Sequence, residues 1–191
     1  IRLTGGPSTG GCLSNNEQAG EGWSDWFALV MSTTEANNAE EGRGIGTYAV
    51  GQPTTGGGIR QHRYSRDMGV NPHTYGDVPN VAIPHGVGSV WCVMIWDLFW
   101  NMVDEYGYDT DIYNGTGGNN MTMQLVMDGL KLQSCGPSFI DSRDAILAAD
   151  VANFNGENQC LIWETFARRG LGWSASAGGN EAFDKPPFCT P

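Results

Sequence analysis

The feature that most constrains this chain is the run from Val87 to Val103, where apolar residues are interrupted only by Gly88, Ser89, Asp97 and Asn101. Pro84 ahead of it suits the first turn of a helix and Gly107 beyond it suits a stop. A helix that is apolar on nearly every side must be buried, so the run predicts a central helix around which the rest packs. The longest candidate for a membrane span, Val90–Val103, is interrupted by Asp97 and Asn101 and falls short of the roughly 20 apolar residues that such a span needs.

Around that helix the periodicity predicts four more. Trp23, Trp26, Phe27, Val30 and Met31 mark one from Glu21 to about Thr34. Another covers Met121–Leu132, and Ser138 with Asp141 reads as a capping box for a helix ending near Asn153. The last runs from about Asn158 to Arg169, with two Arg in its final turn and Gly170 at its end. Residues 36–81 are rich in Gly, Pro, Asn and Asp, with short strands expected around Ile45–Val50. A long irregular region inside a compact body points to function. The expected fold is mainly α with a loop-rich front half: a helical lobe over 1–172 and a polar tail over 173–191 packed on it.

Twenty-one acidic against ten basic residues leave a net charge of −11. Nucleic acid and anionic membranes are disfavoured as partners, because both need clustered Lys and Arg. Five cysteines, at 12, 92, 135, 160 and 189, include no Cys-x-x-Cys pair, which argues for two disulfides and one free thiol in an oxidising compartment rather than a thiolate metal site.

The segment Gly20-Glu21-Gly22-Trp23-Ser24-Asp25 carries the most chemical information. On a helix, Glu21 and Asp25 share a face four residues apart and repel, with nothing basic nearby in sequence. Spacing alone favours the plainer reading, an acidic first turn that suits the helix dipole. His85, in Pro84-His85-Gly86-Val87-Gly88-Ser89, opens the central helix; by itself it is also compatible with a satisfied core histidine. Arg60, in Gly58-Ile59-Arg60, is a candidate to hold a carbonyl through two parallel hydrogen bonds, or a plain loop arginine.

Arg2–Pro7, Cys12-Leu13 and Gly20–Asp25 together resemble the stretch that follows the zinc-binding His-Glu-x-x-His helix of the fungalysins, relatives of thermolysin. Leu125–Gln133, Cys135-Gly-Pro, Phe139–Ile146 and Cys160–Gly172 resemble later segments of the same family. The resemblance implies the helical C-terminal subdomain of a secreted zinc endopeptidase. It makes Glu21 the third zinc ligand, Asp25 the carboxylate that orients a zinc-bound His, His85 the donor to the oxyanion and Arg60 a substrate-binding group. It implies zinc as cofactor, peptide or protein substrates, and an N-terminal half of the catalytic domain as partner. No His-Glu-x-x-His occurs here. Ile1 falls about where that helix should end, so this chain alone is expected to be inactive, with one of three protein ligands. The alternative is a non-catalytic extracellular binding module derived from a degenerate peptidase.

With the helices so placed, Cys135 and Cys160 are expected to bridge two helix ends and Cys12 to pair with Cys189, leaving Cys92 as a packed free thiol. Asp109, Asp111 and the acidic pair Glu40–Glu41 are candidate oxygen ligands for calcium. His62 and His73, eleven apart, match no ligand spacing.

Overall fold

A computed structural model describes residues 3–5 and 11–189. Five helices account for its regular structure: α1 (Gly20–Met31), α2 (His85–Tyr106), α3 (Gly118–Leu132), α4 (Phe139–Phe154) and α5 (Gln159–Arg168). No strand forms among the described residues, only isolated bridges. The mainly α expectation holds.

Helix α2 is the core, as its composition demands. Every residue from Val87 to Trp100 is buried, and α1, α3 and α5 pack directly on it. By length and composition α2 also suffices to cross a membrane, which the interrupted run of apolar residues concealed; its apolar surface is, however, covered by the other helices. At roughly 2 kcal/mol for each large apolar side chain removed from water, this helix supplies a large share of the folding free energy.

One helix end forms as its residues dictate. Ser138 Oγ accepts from Asp141 N–H at 3.2 Å while Asp141 Oδ2 accepts from Ser138 N–H at 2.9 Å, the expected reciprocal cap of α4. Helix α1 meets α2 at two facing glycines. A Cβ on Gly22 would lie 2.3 Å from Gly88 O, and one on Gly88 2.7 Å from the Glu21 Cβ. Only two bare backbones fit there, and the crossing places Glu21 beside the start of α2.

The front half has no strand at Ile45–Val50. Ile45 makes a lone bridge to Gly58, and Tyr48–Val50 form a 3-10 turn. Gly46 and Gly51, at φ 69° and 68°, take the chain out of the extended region on either side. Residues 58–75 are instead anchored from the far end of the sequence. Arg169, fully buried, donates to both oxygens of Asp97 on α2 and to the carbonyls of Ser65, Asn71 and His73. Burial pushes the Asp97 carboxyl above its ordinary range, against the pull of Arg169 and Arg168.

All four expected half-cystines are bridged and Cys92 is free and buried, but the pairing differs from expectation. Cys12 pairs with Cys135, and Cys160 with Cys189. The loop after α3 is held against the N-terminal loop, with Gly136 N–H on Cys12 O at 2.8 Å and Asn15 Nδ2 on the carbonyls of Gly136 and Pro137. The tail turns back through Pro187–Cys189 onto α5. Tertiary proximity, not helix order, selects the partners.

Candidate active-site lobe

Glu21 and Asp25 lie one turn apart on α1, and their repulsion is relieved by Arg60. Its Nε donates to Asp25 Oδ2 at 2.7 Å, and its Nη2 to Asp25 Oδ1 at 2.8 Å and Glu21 Oε2 at 3.2 Å. Such a fork-on-carboxylate pair is geometrically specific as well as strong. Tyr64, fully buried, adds its hydroxyl to Asp25 Oδ2 at 2.6 Å. The Arg60 and Asp25 side chains are only 7% and 6% exposed. The hydrogen bonds to Asp25 raise the Arg60 pKa, and burial pushes the Tyr64 hydroxyl well above its usual 10. Arg60 is therefore a fixed cation and Tyr64 a neutral donor.

Glu21 and His85 stand at the outer edge of this buttress. Glu21 is 39% and His85 63% exposed, with His85 Nε2 3.6 Å from Glu21 Oε2. The glycine crossing of α1 on α2 makes that meeting possible, since the two residues adjoin Gly22 and, through the first turn of α2, Gly88. Glu21, Asp25, Arg60 and His85 thus converge, and Arg60 and His85 both line a cleft of about 270 Å³.

Arg60 is turned through Nε and Nη2 toward the carboxylates of its own chain. Tyr64 went unnoticed in the sequence: it sits 39 residues from Asp25 in an irregular stretch, with no local pattern to mark it. Asp109 and Asp111 spend their oxygens on loop N–H groups, those of Asp111 and Thr116 and those of Tyr113 and Asn114. Glu40 pairs with Arg66, and Glu41 accepts from Asn37. His62 and His73 pack ring against ring at 4.9 Å between centroids, and His73 Nδ1 is 3.0 Å from Asp77 Oδ2. Among the described residues no three His, Cys, Asp or Glu side chains converge on a point where a metal ion could sit. One open carboxylate is too small a donor set for zinc, which catalytic sites hold with three protein ligands.

The family description Fungalysin metallopeptidase matches residues 1–175. Extracellular metalloproteinase 2 of Arthroderma gypseum is 40% identical over 98% of this chain, which spans 31% of that protein. The protein of the same name from Trichophyton rubrum is 38% identical over the same shares. Extracellular metalloproteinase MEP of Neosartorya fischeri is 41% identical over 91% of this chain and 28% of its own length. The chain spans about a third of the length of the curated relatives it matches. With that description matching residues 1–175, the chain belongs to the fungalysin metallopeptidase family.

Proposed function

We propose that this chain is the C-terminal helical lobe of the catalytic domain of an extracellular zinc endopeptidase, residues 1–172 forming the lobe and 173–191 a tail packed on it. The observation that carries the reading is the open Glu21–His85 pair, 3.6 Å apart, standing on the buried Arg60–Asp25–Tyr64 buttress. A buried, hydrogen-bonded base beneath two exposed polar groups is what a positioned site requires. Two disulfides and relatives named extracellular metalloproteinases support secretion.

In this reading Glu21 is one ligand of a zinc set whose other members lie outside these residues. This chain alone holds too few donors to retain the ion, so its own part is positional. Arg60 fixes Glu21 and Asp25 against their mutual repulsion and keeps Glu21 Oε2 turned to the edge of the site. Asp25 is the carboxylate that orients a histidine ligand brought by the N-terminal half. His85, exposed at the mouth of α2, donates to the oxygen that gains charge as a peptide carbonyl becomes tetrahedral. Arg60 borders the cleft where the substrate backbone lies. The substrates are internal bonds of peptides and unfolded proteins.

The chain by itself is then expected to bind well under one equivalent of zinc after dialysis, measured by plasma mass spectrometry, and to leave casein intact. A stoichiometric retained ion or casein hydrolysis would sink the reading of an incomplete lobe. The competing reading, a non-catalytic binding module, shares those two results. It parts from the proposal when the lobe is placed in a complete enzyme, where a binding module restores no hydrolysis.

A further inference from the structure

The cleft beside Arg60 and His85 has a polar group in its wall that the proposed reaction leaves unused. His73 lines it together with Ile59, Val81 and Ala82, yet the His73 side chain is only 6% exposed. Its backbone is clamped twice, N–H on Asn71 Oδ1 at 3.2 Å and carbonyl on the Arg169 guanidinium at 2.9 Å. Its ring is clamped as well. Nδ1 lies 3.0 Å from Asp77 Oδ2, an oxygen that also accepts Thr74 N–H at 3.0 Å. A carboxylate that accepts has no proton to give, so Nδ1 is the donor and carries the ring hydrogen. Nε2, the other ring nitrogen, makes no hydrogen bond among the described residues. A polar ring nitrogen held this firmly discriminates, because an apolar group placed against it leaves it unpaired.

We infer that His73 is a specificity-determining residue: the cleft takes a hydrogen-bonding substrate side chain, amide or hydroxyl, in preference to an aliphatic one of equal size. This rests on the reading that peptides bind along this face. Asparagine and leucine side chains are near-isosteric, and either fits a cleft of about 270 Å³. They differ in the one property that Nε2 reads.

The test uses the full chain with ring-15N histidine, titrated with asparagine amide and with leucine amide. Asparagine amide is expected to shift the His73 Nε2 resonance and to bind about tenfold more tightly. His73→Leu should abolish the preference, and His73→Gln, which keeps a polar head, should restore part of it. Equal affinities, binding of neither probe, or a preference that survives His73→Leu would overturn the inference. A parallel arm measures kcat/KM for peptide pairs differing only by Asn or Leu at the residue nearest the cleaved bond, with this lobe in a complete enzyme. Cleavage without a preference removes the inference and leaves the peptidase reading standing. A ring-shift preference without any cleavage does the reverse.

Discussion

Replacing Arg60 by Met tests the buttress under the proposed site. The change removes a guanidinium that is 7% exposed and leaves Asp25, 6% exposed, with the Tyr64 hydroxyl alone. Breaking a buried ion pair from one side costs about 3–5 kcal/mol, because the remaining charge stays in the interior unpaired. The Glu21 contact adds little, since Glu21 is 39% exposed and screened by water. For a chain of this size each kcal/mol moves Tm by about 2–4 °C, so Arg60→Met should lower it by roughly 6–20 °C. Urea denaturation followed by tryptophan fluorescence gives the free energy directly. Two further variants sharpen the reading. Arg60→Lys cannot span both Asp25 oxygens and should lose about half as much. The double variant Arg60→Met/Asp25→Leu should be more stable than Arg60→Met alone, because the stranded charge is gone. If Arg60→Met unfolds within about 0.5 kcal/mol of the parent, the pair contributes nothing and the buttress argument fails.

Other consequences follow from single contacts. Gly88→Ala would place a Cβ 2.6 Å from Gly22 N and should destabilise by about 1–3 kcal/mol, whereas Gly57→Ala, with nothing within 4 Å, should stay within about 0.5 kcal/mol in the same urea assay. Peptide mapping of the unreduced chain should recover Cys12–Cys135 and Cys160–Cys189; a Cys135–Cys160 peptide would refute the assigned packing of the N-terminal loop. Burial, and then the neighbouring His73, hold the His62 pKa below its usual 6.5. The folded state therefore binds fewer protons than the unfolded one as pH falls below 6.5, and stability should decline there until the folded pKa is passed. An imidazole NMR titration placing the His62 midpoint above 6.5 would contradict this.

The helices could be read from the sequence because the information is local. The all-round apolar run of α2, the Ser138–Asp141 cap and the α1 periodicity each lie within one element. Glu21 and His85 were visible for another reason, since a family motif carried them across a gap that spacing could not bridge. What stayed hidden depends on contacts distant in sequence. Arg60 reaches Asp25 over 35 residues and Tyr64 over 39, both from a stretch without periodicity. Arg169 reads as a favourable charge at a helix end, yet in the fold it is a buried anchor for the carbonyls of residues 65–73. The cysteine pairing failed likewise: it is decided by which loops meet, and the Cys12 loop meets the one after α3.

The proposed function requires that Glu21 act in a peptidase site that this lobe completes. It is tested most directly by replacing the aligned third of the Arthroderma gypseum metalloproteinase with this chain and measuring casein hydrolysis for the parent chimera and for Glu21→Ala. The parent chimera should hydrolyse casein, and Glu21→Ala should lose at least about a thousandfold in rate, with its zinc content falling in step. A chimera that hydrolyses casein equally well without the Glu21 carboxylate would contradict it.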